Sequence, residues 1–215
     1  MSAGPAAKSF SPSAEPAMDI SEPVEDATLS GEDWYAAELA GSYLRCTFVE
    51  VDLTEVTNAG ANFDGCSFRG VRFNASQHND AVFANCTYSR CTFFDATFTG
   101  CKLIGATFDS CAFPLLKVTA CDLSFAALVR ADLSGVRFER VRLREVDLSG
   151  AVLDGATMRD CDLSGAQLHQ ASFRDCDLRG SDLSALDPRD AFIAGAVIDP
   201  VQAMTVAGAL GFDVR

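Results

Sequence analysis

The sequence predicts a solenoid assembled from five-residue units, and two regularities carry this prediction. From Phe48 to Leu183, every fifth residue is Phe, Leu, Met or Tyr at 25 of 28 central positions, and the exceptions are Asn58, His78 and Val118. The residue two places before each centre is Ala, Cys, Val or Ser in 27 of 28 units. Neither an amphipathic helix nor an ordinary strand keeps a period of five, so the chain is predicted to stack repeats.

Each unit therefore has two inward positions, one large and one small. The three other positions are mostly Asp, Thr, Ser, Arg, Asn and Gly, which suit turns and solvent. Leu116 is the one large residue in the small row. All nine cysteines occupy that small row, where Cys alternates with Ala and Val. We interpret them as packing residues rather than disulfide or metal ligands.

Composition narrows the class of function. The 215 residues carry a formal charge of −13, with 48% hydrophobic and 22% charged residues. The acidic balance argues against direct nucleic-acid binding, while a basic protein partner stays open. No apolar run approaches the roughly 18 residues that cross a membrane, and residues 1–30 lack a signal-peptide pattern. The sequence thus predicts a cytoplasmic protein without membrane contact.

The boundaries follow from the phase of the repeat. Residues 1–26 have no periodicity and are predicted to be a disordered acidic tail, and repeats run over 27–198. Before residue 46 the pattern is one residue out of phase, which a deletion near Arg45 would reconcile. Residues 199–215 hold a predicted helix over 200–210, with Asp199 as N-cap, Gln202 completing a capping box and Gly211 as the stop.

The unit A(D/N)LXX resembles the pentapeptide-repeat family. The resemblance implies an all-β solenoid, a right-handed quadrilateral pentapeptide-repeat β-helix in which four units form a coil of 20 residues. Seven coils from 46 to 185 would then be roughly 34 Å long at about 4.8 Å per coil. Within the family, three segments resemble the gyrase-protecting quinolone-resistance members, MfpA and more distantly Qnr. They are Ser76-Gln77-His78 with Asn85-Cys86-Thr87, Pro114-Leu115, and Asp199-Pro200-Val201-Gln202-Ala203. Qnr proteins carry loop inserts, whereas here the five-residue phase is unbroken from 46 to 185.

With a 20-residue coil, every fourth unit shares one face, and charge differs between faces. The face centred on Leu53 has a net charge of −4, against −2, 0 and +1 for the faces centred on Phe63, Phe48 and Asn58. Six carboxylates form this acidic stripe: Asp52, Glu55, Asp95, Asp132, Asp154 and Asp175. A row of carboxylates on a rod could stand in for duplex phosphates. Asp also suits turns and solubility, which is the alternative interpretation.

The sequence offers no catalytic, cofactor or metal-binding pattern. His78 takes a central position and is interpreted as a buried, satisfied histidine, and His169 faces outward. Neither stands at a metal-ligand spacing from cysteines or carboxylates, and there is no GxSxG elbow or phosphate-binding glycine loop. Arg137, Arg140, Arg142 and Arg144 form one basic cluster, either a solvated surface or a site for an acidic patch on a partner.

The resemblance implies a homodimer that binds DNA gyrase as a DNA mimic and protects it from quinolones or other gyrase poisons. The dimer contact is expected on the C-terminal helix, at Val201, Met204, Ala207, Leu210 and Phe212. The alternative is a generic protein-interaction scaffold of the same fold without gyrase activity. Drug resistance, producer self-immunity and regulation of gyrase are equally compatible with the sequence.

Overall fold

The computed structural model describes residues 22–214 as a parallel β-solenoid followed by one short helix. The chain folds into coils with four flat faces, because each unit contributes one short strand or bridge and then turns. The predicted fold class, a β-solenoid with a C-terminal helix, is thus confirmed. Of the predicted tail over residues 1–26, residues 1–21 lie outside the described residues.

The strands are two or three residues long. They are β1 (Val24–Glu25), β2 (Thr28–Ser30), β3 (Glu38–Leu39), β4 (Ser42–Leu44), β5 (Thr47–Val49), β6 (Thr57–Ala59), β7 (Asn62–Asp64), β8 (Ser67–Arg69), β9 (Gln77–Asn79), β10 (Val82–Ala84), β11 (Thr87–Ser89), β12 (Thr97–Thr99), β13 (Thr107–Asp109), β14 (Lys117–Thr119), β15 (Arg137–Glu139) and β16 (Thr157–Arg159). Helix α1 spans Pro200–Ala209.

We number the faces by the central residues of the first complete coil: Phe48 on face 1, Leu53 on face 2, Asn58 on face 3 and Phe63 on face 4. Strands stack as β2-β5-β8-β11-β13 on face 1, β3-β6-β9-β12-β14-β15-β16 on face 3 and β1-β4-β7-β10 on face 4. The strand pairings are parallel, and after the first coil their register is 20 residues, as between Phe48 and Phe68. Face 2 contains only isolated bridges, such as Asp52 to Arg72.

The first coil is one residue short. Leu39 pairs with Asn58 at an offset of 19, whereas Tyr43 pairs with Phe63 at an offset of 20. The deletion therefore lies between Leu39 and Tyr43, at the corner where Gly41 has a φ of 87°, and the predicted position near Arg45 was wrong. The solenoid also begins at Val24, because β1 pairs with β4 before the predicted boundary at 27.

The core is a ladder of stacked rings that gives way to aliphatic side chains. Phe48, Phe63, Phe68 and Phe73 are fully buried and stack on the coils above or below, with ring centroids 4.8–5.0 Å apart in pairs such as Phe48 and Phe68. After Phe113 the central residues are mostly Leu. Eight cysteines are buried and Cys111 is partly exposed; all nine are free thiols, as packing residues should be.

The corners between faces are built from residues in the left-handed region. Twenty residues other than glycine adopt φ between 51° and 61° there, such as Glu55 and Leu115. This conformation costs a non-glycine residue about 1 kcal/mol. It is sustained because the corner N–H groups donate to the next coil, as Glu50 does to the Arg69 carbonyl oxygen at 2.8 Å.

On face 2 of the described solenoid, one pair of neighbouring coils lacks the backbone hydrogen bonds that join the other coils. Elsewhere along this face the coils are bonded in a fixed pattern, for example by Phe93 N–H to the Ala112 carbonyl at 2.8 Å. The exception lies between residues 110–115 and residues 129–134 of the next coil, and we call this place the seam. In the described chain, no backbone hydrogen bond crosses the seam from the N–H groups of Ser110, Phe113, Leu115 or Asp132. The bridge between Ala112 and Asp132 is likewise missing from the described ladder, although faces 3 and 4 stay bonded there.

The seam coincides with two irregularities in the core. Leu116 is the one large residue in the small row, and its carbonyl oxygen still accepts from the Arg137 N–H of the next coil at 3.0 Å. The aromatic stack also ends here: Phe93 and Phe113 lie 5.3 Å apart, the widest of the stacked pairs. A cavity of about 20 Å³ lined by Phe113, Leu116 and Leu133 marks the change from rings to leucines.

Helix α1 begins and ends as the sequence predicts. The Asp199 carboxylate accepts from the N–H groups of Val201 and Gln202 at 2.9 Å each, and the Gln202 side chain accepts from the Asp199 N–H at 2.8 Å. At the other end, the Arg189 guanidinium donates to the carbonyl oxygens of Ala209 and Leu210. Within the described residues, no helix is long and apolar enough to cross a membrane.

Candidate protein-docking face

All six carboxylates of the predicted stripe lie on face 2 or on its corner with face 3, but they differ in their contacts. Asp52 and Asp132 precede a central leucine and shape the turn that follows it. Their Oδ1 atoms accept from the N–H groups of Thr54 and Ser134, each at 3.0 Å. Turn geometry alone therefore accounts for part of the aspartate pattern.

Two carboxylates of the stripe are bound to an arginine of the next coil. Asp52 lies 2.6 Å from Arg72 Nη2. Asp154 accepts from Ser172 Oγ at 2.5 Å and from the Arg174 N–H at 3.1 Å, with Arg174 Nη1 at 3.9 Å. These contacts hold both carboxylates against the next coil and give them a structural role.

Three carboxylates lie at the corner between faces 2 and 3. Glu55, Asp95 and Asp175 have φ of 59°, 52° and 54°, which turns their side chains outward. Asp95 lies 2.7 Å from Lys117 Nζ in an exposed pair, the kind that contributes little to stability. Glu55 accepts a hydrogen bond from the Tyr35 hydroxyl, which raises the pKa of that tyrosine.

The charge that face 2 offers to a partner is therefore sparser than the sequence suggests. Within the described chain, Glu55, Asp132 and Asp175 have no basic partner. The hydrogen bond from the Ser134 side chain lowers the pKa of Asp132, which keeps that group ionised at neutral pH. Glu55, Asp95, Asp132 and Asp175 recur at every second coil, roughly 10 Å apart at the spacing of strands.

The four arginines of the basic cluster lie on faces 3 and 4. Arg137 lies on face 3, Arg140 at the corner of faces 3 and 4, and Arg142 and Arg144 on face 4. Three of them contact carboxylates: Arg137 with Glu139 at 3.4 Å, Arg142 with Asp122 at 2.7 Å and Arg144 with Asp162 at 4.0 Å. No residue of the cluster lies on face 2.

The two polar residues at central positions form one buried network on face 3. Asn58 Nδ2 donates to His78 Nδ1 at 3.2 Å, and His78 Nε2–H donates to Ser76 Oγ at 3.0 Å. Burial lowers the pKa of His78 to about 3, so the ring is neutral. Its contacts and its stacking on Phe98 match the predicted satisfied histidine rather than a ligand. His169 lies outside, 2.8 Å from Asp190.

The C-terminal helix docks on the last coil through a polar residue. Gln202 is buried and its Nε2 donates to the carbonyl oxygens of Leu178 and Ser181 at 2.6 and 2.7 Å. Val206 packs against the core, whereas four other apolar residues of the helix and its tail point away: Val201, Met204, Leu210 and Phe212 are exposed by 75%, 56%, 38% and 69%. Ala207 is half-buried. A helix that only covered the coil would turn its apolar side inward.

Sequence reasoning missed the apolar residues at outward positions beside the seam. Phe94, Leu115 and Val129 are exposed by 50%, 56% and 44%. Their signal was available in the repeat, because large apolar residues are uncommon in the three outward positions. The interruption at Pro114-Leu115 was visible, but its effect on the stacking of coils was not.

Residues 91–168 match the family of the pentapeptide repeat region, and residues 161–187 match the family of pentapeptide repeats in eight copies. Among solved structures, a trypsin-treated variant of QnrB1, a plasmid-mediated fluoroquinolone resistance protein, is 25% identical, with a TM-score of 0.53 over 90% of this chain and 100% of that one. Full-length QnrB1 is 24% identical, with a TM-score of 0.52 over 89% and 99%. No curated protein matches this sequence. Residues 91–187 are thus repeats of the pentapeptide-repeat family, and the described solenoid continues on both sides of them in coils of the same kind.

Proposed function

We propose that the protein binds DNA gyrase in the cytoplasm as a DNA mimic and protects it from quinolones or other gyrase poisons. The observation that carries this proposal is the likeness to QnrB1, a fluoroquinolone resistance protein, over 90% of the chain. The acidic face supports it, since a basic DNA-binding surface attracts a rod with carboxylates along one side. The protein acts by binding alone, without catalysis, metal or cofactor.

A direct test is a titration of purified protein into gyrase assays. We expect inhibition of supercoiling, or less quinolone-stabilised DNA cleavage, at low micromolar protein or below. Both effects should weaken as salt rises, because the attraction is electrostatic. Unchanged supercoiling together with unchanged drug-induced cleavage would contradict the proposal.

The second candidate is an interaction scaffold of the same fold without gyrase activity. It is favoured by the internal contacts of the carboxylates, since Asp52 and Asp154 serve turns and ion pairs that any repeat protein needs. Under this alternative, the protein would leave gyrase unaffected in both assays.

We also propose that two copies associate through the C-terminal helix, with Val201, Met204, Ala207, Leu210 and Phe212 in the contact. The exposure of Val201, Met204, Leu210 and Phe212 on the side away from the last coil supports this arrangement. The open end of the solenoid and the helix would then be covered by the partner copy.

Replacing Met204 and Leu210 with Glu should convert the dimer to monomers in sedimentation velocity, because two carboxylates would be buried in an apolar contact. The matched control is Gln77→Glu with Gln170→Glu, which adds the same charge at exposed positions on the shaft. The control should remain dimeric. An intact dimer in the helix variant would rule out this interface.

A further inference from the structure

The seam on face 2 is a break in the backbone ladder that is lined by exposed apolar side chains. Leu115 lies at one edge and Val129 near the other, and Phe94 lies one coil before Pro114. The seam also uncovers part of the inward row: Cys111 and Ala131 are half-buried, whereas Cys91 and Ala151, in the same row of the coils on either side, are buried.

Leu115 is the one large apolar residue among the corners that follow face 2 in the described chain. Its φ of 59° is a conformation that glycine adopts without strain, and more than half of its side chain is in solvent. The equivalent corners of the next two coils are Gly135 and Gly155, with φ of 68° and 65°. A leucine at this corner costs conformational energy and exposes apolar surface directly beside the seam, where a partner can contact it.

The peptide groups of the seam are also open to a partner. The N–H groups of Phe113 and Leu115 and the carbonyl oxygens of Asp132 and Ser134 would be bonded to each other in a regular coil, and the described chain has no such bond. Peptide groups near solvent can bind a polar group of another molecule at little cost. The seam thus combines apolar side chains at its edges with unbonded peptide groups, and this combination suits a side chain of a partner.

Carboxylates flank this opening along the axis. Asp95, which pairs with Lys117, precedes it by one coil, and Asp132, which has no ion pair in the described chain, lies at its edge. Duplex DNA carries one phosphate per about 1.7 Å of axis, against one outward carboxylate per roughly 10 Å here. Carboxylates at this low density attract a basic partner but do not define where along the rod it binds. A second, short-range contact is needed to define the binding position. Buried apolar anchors provide such contacts in protein interfaces.

We propose that the seam is the anchoring site for the protein partner, and that it takes an apolar side chain flanked by lysine or arginine residues. The apolar side chain would lie between Phe94, Leu115 and Val129, and the basic residues would face Asp95 and Asp132. This inference rests on the proposed function and names the part of the rod that carries specificity.

The first test compares two glycine substitutions. Leu115→Gly should weaken binding to purified gyrase at least tenfold while leaving the urea midpoint unchanged or higher, because the anchor is lost and the strain at φ 59° is relieved. Phe125→Gly is the matched control. Phe125 is equally exposed at 57% and has a φ of 61°, but it lies at the diagonally opposite corner of the coil, away from face 2.

The second test follows Cys111 with a maleimide reagent and mass spectrometry. Cys111 is half-buried at the seam, and the neighbouring Cys91 side chain lowers the pKa of its thiol. Burial raises the pKa of Cys176 to about 12, so that thiol serves as the unreactive reference. Bound gyrase should protect Cys111 from labelling.

The outcomes separate the two proposals. If wild-type protein binds gyrase but Leu115→Gly binds equally well and Cys111 stays reactive in the complex, the seam is refuted and the gyrase proposal stands. If wild-type protein fails to bind gyrase, the proposed function is refuted and the seam assignment is refuted with it. Equal losses in Leu115→Gly and Phe125→Gly would also overturn the seam.

Discussion

Neutralising four carboxylates on face 2 is expected to weaken inhibition of gyrase supercoiling by roughly 30-fold. The variant combines Glu55→Gln, Asp95→Asn, Asp132→Asn and Asp175→Asn. Each exposed charge contributes on the order of 0.5 kcal/mol to such an interface, and about 2 kcal/mol in total corresponds to this factor. Asn at 132 keeps an acceptor for the Ser134 N–H, so the turn is preserved. The measurement is the concentration for half-inhibition of supercoiling.

The choice of positions follows the contacts. Asp52 and Asp154 are left intact because Arg72, Ser172 and Arg174 depend on them, and their loss would disturb the shaft. Asp175 is included because it has no ion pair in the described chain and its side chain points outward from a corner.

The matched control removes the same charge from faces 1 and 4 and from the corner of faces 3 and 4, through Asp64→Asn, Asp80→Asn, Asp109→Asn and Asp147→Asn. We expect less than a threefold change for this variant. Equal losses in both variants would mean that total charge matters and the face does not. No loss in either would remove the acidic stripe from the mechanism.

Truncation of Phe68 to Ala is expected to destabilise the solenoid by about 3–5 kcal/mol. Its ring is fully buried and stacks between Phe48 at 4.8 Å and Tyr88 at 5.0 Å, so its removal leaves a cavity spanning two coil interfaces. Because each coil contacts only its neighbours, a weak step cannot be compensated by distant repeats. The measurement is the free energy of urea unfolding.

Phe125→Ala is the control for this prediction, since the same atoms are removed from a side chain that is 57% exposed. It should change stability by less than about 0.5 kcal/mol. A cost below 1 kcal/mol at Phe68 would show that the ring stack is not the main source of stability.

By itself, the sequence determined the repeat and everything local to one unit. The alternation of small and large inward residues predicted which side chains are buried, including the cysteines and His78. The capping box at Asp199 and Gln202 predicted where the helix starts, because its bonds join residues three apart. Such features depend on neighbours along the chain, and a sequence displays those directly.

The tertiary structure alone decided which charges and which apolar residues remain available. Asp52 pairs with Arg72 and Asp154 contacts Ser172, and these partners are about one coil away along the chain. The seam depends on which backbone groups of neighbouring coils bond, and the missing residue near Gly41 depends on which centres pair. The physical reason is that contacts between coils are set by stacking geometry, and a change of one residue or of a few methylene groups alters them without changing the five-residue pattern.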